Sequence, residues 1–216
     1  MITVRIRFRK VGEAAYISLL DLQRVFHRIL KRSGLPVYYT QGFNPHIYLS
    51  FACPLSLGQE SICECCEVKT EAENQDFSRW REALQPLMPR GIEITWIGPA
   101  VNKVGEIDHA EYTVTVPASA APALEEYNAA SSAPVLKKSK RGKKELDLKE
   151  YLPHLDYSPF EEGLQFSFTL PCGSGEAPNL NPALLLGYLQ QKSEIPPWLC
   201  SVMRTQLYTK NNEEFC

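Results

Sequence analysis

The chain has 216 residues, of which 44 % are hydrophobic and 22 % charged, enough apolar side chain to bury a sizeable core as one large domain or two small ones. No apolar run approaches the roughly 20 residues needed to span a bilayer, and the opening MITVRIRFRK has no secretory-type apolar stretch, so the expected location is the cytoplasm, without a membrane partner. The formal net charge of −2 hides a segregation: residues 1–33 carry eight Lys or Arg against Glu13 and Asp21, and a second basic run holds Lys137, Lys138, Lys140, Arg141, Lys143 and Lys144.

The first element is a half-buried strand, because Val4, Ile6 and Phe8 alternate with Arg5, Arg7 and Arg9. Ser18 and Asp21 then form a capping-box-like start, and Leu22, Val25, Phe26, Ile29 and Leu30 recur at helical spacing up to Gly34 and Pro36. Arg24, Arg28 and Arg32 recur every fourth residue on the polar side of that helix, which stacks them into one stripe. After the turn QGFNP, the segment HIYLSFA alternates again, with Ile47, Leu49 and Phe51 inward and His46, Tyr48 and Ser50 outward. Residues 61–70 read as a third strand, 76–88 as a helix opened by Asp76, and 92–98 as a fourth strand.

From Ala110 a similar order follows: a strand at 110–117, a helix at 120–130 and an extended basic hairpin from Pro134 to Leu148. Residues 149–162 read as a loop or short helix, GLQFSFTL as a strand, NPALLLGYLQ as a helix capped by Asn181, and WLCSVMRTQLYT as a last strand. The tail KNNEEFC is expected to fray. This order predicts an α+β fold of two ferredoxin-like βαββαβ halves with mainly antiparallel sheets, 1–99 and 110–210, divided between Gly98 and Ala110.

Four groups of residues could carry chemistry. The Gln41-Gly42-Phe43-Asn44-Pro45-His46 turn opens into a strand, so Asn44 could read a polar edge, Phe43 could stack and His46 could transfer a proton. The same residues also suit an ordinary turn. Arg5 and Arg7, if they share a sheet with His46 and Tyr48, would join cations and rings on a surface fit for phosphates and bases, unless they pair with acids such as Glu64 and Glu67.

Cys63 and Cys65 face opposite to Cys66 on a strand, which does not make a metal site, and the seven unevenly spaced cysteines read as reduced thiols. Gly173-Ser174-Gly175 has neither the length nor the Lys ending of a phosphate-binding loop and reads as a flexible connection. No metal or cofactor is expected.

The stretch from Arg5 through Glu64 resembles the N-terminal signature of the uncharacterised radical-SAM-linked protein family. The shared positions are Ser18, Asp21, Arg24, Arg28, Arg32, Gly42, Phe43, Asn44, Pro45, His46, Gly58, Glu60, Ser61 and Glu64. Leu19 stands where that family often has a histidine, and Ile47 where a second proline is usual. The resemblance implies a radical-SAM partner protein and an RNA setting; the chain itself lacks the three-cysteine run that holds a radical-SAM cluster.

The leading expectation is therefore an RNA- or RNA-complex-binding accessory protein. Its binding residues would be Arg5, Arg7, Arg24, Arg28, Arg32, Gln41, Phe43, Asn44, His46, Tyr48, Lys140, Arg141 and Lys143. One alternative is a metal-independent ribonuclease or transferase with His46 as the catalytic acid or base. Another is an adaptor whose arginine stripe docks an acidic protein.

Overall fold

The computed structural model describes residues 1–72, 76–139, 142–173 and 179–215, apart from the side chains of 138 and 139. Strand β1 (Ile2–Lys10) sends Val4, Ile6 and Phe8 into a core. Helix α1 (Leu19–Arg32) packs on them through Leu22, Phe26, Ile29 and Leu30. Its start is fixed as the sequence predicts, with the Ser18 hydroxyl accepting from the Asp21 N–H. Strands β2 (Leu49–Phe51) and β3 (Glu60–Thr70), helix α2 (Phe77–Leu84) and β4 (Ile92–Pro99) complete this part. Asp76 caps α2 by accepting from the N–H groups of Ser78 and Arg79. Phe8, Phe26 and Phe51 meet with ring centroids 5.1–6.3 Å apart, joining strand, helix and the short β2.

The rest of the chain supplies β5 (Ile107–Pro117), α3 (Ala121–Ala129), the β6–β7 hairpin (Pro134–Ser139 and Gly142–Asp147), β8 (Tyr157–Phe160), β9 (Gly163–Pro171), α4 (Ala183–Lys192) and β10 (Ser201–Thr209). One eight-stranded sheet runs β4-β1-β3-β10-β5-β9-β8, with β2 also paired to β3; β6 and β7 form a sheet of their own. Every pairing is antiparallel except β10 with β3, which matches Met203 to Glu60 and Arg204 to Ser61. The orders β4-β1-β3-β2 and β10-β5-β9-β8 are consistent with two ferredoxin-like halves, the second carrying the β6–β7 hairpin as an insertion. Two hydrophobic clusters fill the interior, one on β1, α1 and α2, the other on β5, β9, α3 and α4. Among the described residues no helix is long and apolar enough to cross a membrane.

Several elements differ from expectation. HIYLSFA forms a ladder with β3 only over Leu49–Phe51, because residues 46–48 turn to residues 38–40: the Thr40 N–H donates to the His46 carbonyl at 2.8 Å and the Tyr48 N–H to Tyr38 at 3.1 Å. Residues 157–160, expected as loop or short helix, add an edge strand to β9. Asn181 precedes α4 by one further residue, yet its side-chain oxygen accepts from the Ala183 N–H at 2.8 Å, and Pro182 takes the cap position.

The tail is held. Thr209 donates to the Glu213 carbonyl at 2.9 Å, Phe215 donates to Leu207 at 2.8 Å, and the Phe215 ring is 2 % exposed. A buried ring and two backbone bonds oppose the fraying that the polar composition alone predicts.

Candidate nucleic-acid interface

The 38–48 segment is a small hairpin whose backbone bonds leave residues 41–45 as its tip. All six residues from Gln41 to His46 are exposed, and Phe43, at 105 %, is covered by none of the described residues. A fully hydrated phenyl ring on a polar turn contributes nothing to folding, and its free faces suit stacking. Below it, His46 Nδ1 lies 3.1 Å from both the Thr40 hydroxyl and the Asn44 carbonyl, while the His46 N–H donates to Thr40 at 3.2 Å. These contacts orient the exposed ring.

The arginine stripe forms as the helical spacing predicts. Arg24, Arg28 and Arg32 line one groove of about 450 Å³ together with Asp21, Val25, Ile29, Leu87 and Pro89. Asp21 pairs with Arg24 at 2.9 Å, and its carboxyl is held below the usual carboxylate range, first by the Ser18 hydroxyl and then by Arg24. Among the described residues no carboxylate lies within ion-pair distance of Arg28 or Arg32.

The β1 arginines are different, and Arg5 is a correction. Arg5 is 0 % exposed: its guanidinium donates to Glu67 at 2.6 and 3.2 Å and to the Asn102 carbonyl, and Phe215 covers it with its ring centroid 4.2 Å away. The cross-strand pairing with Glu67 that the sequence left open is what forms, and the tail seals it from any phosphate. Arg7 is half-buried in a rung between Cys65 and Trp96, and Arg9 reaches Glu93 at 3.6 Å. Tyr48 carries the Lys69 ammonium 4.2 Å from its ring centroid, so one of its faces is occupied. The expected meeting of these arginines with His46 on one open surface is not what the residues build.

The basic hairpin has a register that composition could not give. Lys137 stands opposite Lys144, and Lys138 opposite Lys143. Lys143 and Lys144 are exposed and Lys137 half-buried, and no carboxylate lies within ion-pair distance of these three among the described residues. Lys140 and Arg141, expected at its tip, lie outside the described residues, as do Ser174 and Gly175 of the glycine-serine stretch.

Two features were not legible. His27 on α1 is close enough to His46 to feel its charge; burial first, and the second imidazole next, hold His27 below its ordinary value. Its position between Arg24 and Arg28 was visible in the sequence, but nothing local pointed across to the loop. The second is Arg204 of β10, buried at the seam, which donates from Nε to Glu64 at 3.2 Å and closes a second bond to the same carboxylate oxygen from Nη2. This pair joins the two halves of the sheet.

A crystal structure described as an unknown protein from Galdieria sulphuraria matches with 14 % identity, over 100 % of this chain and 99 % of that one, at a TM-score of 0.28. No curated protein matches the sequence. The residues of the arginine stripe, the exposed loop and the lysine hairpin all fall in one family match that spans residues 3–182, and the chain thereby belongs to the family described as "Uncharacterized protein conserved in bacteria (DUF2344)".

Proposed function

We propose that the protein is a non-catalytic module that grips the phosphate backbone of RNA through its β6–β7 hairpin and works as an accessory to a radical-SAM enzyme. The observation that carries the first part is lysine opposite lysine on two successive rungs. Like charges directly opposite destabilise a ladder, and a two-stranded ribbon is marginal in water already. A polyanion laid along the rungs turns that repulsion into attraction.

Arg28 and Arg32, with no carboxylate at ion-pair distance among the described residues, offer a second cationic surface, and Phe43 offers a stacking platform. RNA as the polyphosphate, and the radical-SAM partner, rest on the resemblance of the Ser18 to Glu64 signature; the electrostatics alone read any phosphate strand.

The test is fluorescence anisotropy of nuclease-treated protein with a labelled structured RNA over a salt series. Binding that weakens steeply with salt, and that Lys137→Glu with Lys144→Glu abolishes, supports the reading. Undetectable or salt-insensitive binding overturns it.

A second reading is favoured by His27 beside His46. Two imidazoles suit phosphodiester cleavage without a metal, one accepting the proton of a 2′-hydroxyl and the other protonating the leaving oxygen. His46→Ala that retains binding and loses RNA cleavage would establish it; wild-type protein that leaves bound RNA intact removes it.

A further inference from the structure

The Lys137–Lys144 rung borders a hollow of about 420 Å³ that Leu146, Glu150 and Tyr151 also line. Leu146 lies on the same face of the ribbon, two residues beyond Lys144, because side chains alternate along a strand. Glu150 and Tyr151 come from the turn after β7, one short 3-10 helix over Leu148–Glu150. Tyr151 is half-buried and packs against the core of the second half, which holds its ring at the hollow. Two ammonium groups, an apolar wall and an aromatic ring thus border one space, within the roughly 300–1,000 Å³ of small-ligand sites.

Three carboxylates also line the hollow, and their surroundings differ. Asp147 is engaged, accepting from Ser132 and from the N–H groups of Ala133 and Lys149. Glu145 stands in register with Leu136, on a rung whose side chains face the other way. Glu150 is exposed and, among the described residues, makes neither a hydrogen bond nor an ion pair.

We propose that this hollow takes one unpaired guanine of the RNA, with Glu150 as the residue that reads its edge. The inference rests on the reading of the hairpin as a phosphate grip and adds the base that lies beside the gripped phosphate. Lys137 and Lys144 attract phosphate and Glu150 repels it, so the strand is oriented with its backbone at the rung and its base toward Tyr151. The base then has an aromatic ring to stack on.

An ionised carboxylate only accepts hydrogen bonds, and it does so with two oxygens side by side. Of the four RNA bases, guanine alone presents two adjacent donors on its Watson–Crick edge, N1–H and N2–H, which match those oxygens. Cytosine and adenine present one amino donor beside a ring acceptor. Uracil presents one N3–H between two carbonyl acceptors, which a carboxylate repels. The edge that Glu150 takes is the one used in base pairing, so the guanine must be unpaired.

The test uses the nuclease-treated full-length chain and two fluorophore-labelled RNA heptamers, UUUGUUU and UUUUUUU, in anisotropy titrations over a salt series. The heptamers carry the same phosphates, so log K should fall with log salt at the same slope for both. The guanine heptamer should bind at least about 5-fold more tightly at each salt concentration. Inosine in place of guanosine removes the N2 amino group, and that heptamer should fall between the two. Glu150→Gln, whose amide presents one acceptor and one donor, should bind the guanine and uracil heptamers alike.

Equal, salt-dependent binding of the two heptamers by the unaltered chain overturns the inference and leaves the phosphate grip standing. A guanine preference that survives in Glu150→Gln overturns it, and so does an inosine heptamer bound as tightly as the guanine one. Undetectable binding of both heptamers by a chain that still binds structured RNA does the same, whereas failure on every RNA removes the hairpin reading as well.

Discussion

Replacing Lys137 and Lys144 together by glutamine tests whether the hairpin is held in readiness for a polyanion. The register places Lys137 opposite Lys144 on one face of the ribbon, because successive rungs of a ladder face opposite ways. On a single strand each neutralised phosphate contributes about 0.7 to the fall of log K with log salt, so these two contacts give a slope of about −1.4 and a loss of about 7-fold between about 50 and 200 mM salt. The double variant loses both, and with them that share of the slope. Glutamine retains much of the side-chain length and removes one like-charged rung, so the variant should be no less stable than the parent. Anisotropy titrations over a salt series give the slope, and thermal melting gives the stability. An unchanged slope, or a variant that binds less only because it melts lower, refutes the reasoning.

Glu64→Ala leaves the Arg204 guanidinium buried without its carboxylate, and breaking such a pair from one side costs about 3–5 kcal/mol. Urea denaturation measures it, with Glu64→Leu plus Arg204→Met expected to recover most of the loss; a single variant within about 1 kcal/mol of the parent would contradict the placement of this pair. Phe43→Ala should leave stability unchanged because none of the described residues covers the ring, yet weaken RNA binding by about 1–3 kcal/mol if it stacks on a base. Equal affinity with and without the ring removes it from the interface.

Asp147 closes the base of the hairpin by accepting from Ser132 and from the N–H groups of Ala133 and Lys149, at 2.7 and 2.9 Å for the latter two. These bonds hold its carboxyl below the ordinary value, so its contribution is present above that value and is lost as pH falls through the lower, folded one. Protection of the Ala133 and Lys149 amides, relative to the intrinsic rate, should therefore stay level from pH 7 down to near the ordinary carboxylate value and fall below it; Asp147→Asn should remove that acid-dependent loss. Protection that stays level through the acid range would show that the carboxylate does not hold the turn.

What the sequence made legible was local. Ser18, Asp76 and the every-fourth spacing of Arg24, Arg28 and Arg32 act within a few residues of themselves, and the structure places them as their spacing predicts. The alternation of β1 also fixed which side chains point away from α1. What covers that other side was not legible, because Glu67, Asn102 and Phe215 arrive from far along the chain. Composition marked residues 210–216 as a polar end, whereas one buried phenylalanine and two backbone bonds hold residues 210–215. Likewise no periodicity in the sequence brings Arg204 to Glu64; that pair is made by tertiary packing.

The same distinction bears on where a polyanion can bind. A cation on a central strand has neighbours on both sides of the sheet, and Arg5 is neutralised by Glu67 and roofed by Phe215 for that reason. A buried guanidinium with its bonds satisfied cannot turn to a phosphate without abandoning a carboxylate in the interior. Lys137, Lys143 and Lys144 of the hairpin have no carboxylate within ion-pair distance among the described residues, and the partner strand presents lysine opposite lysine. It is at this ribbon, and at Arg28 and Arg32 of α1, which have no ion-pair partner among the described residues, that added salt should act most strongly on the proposed RNA binding.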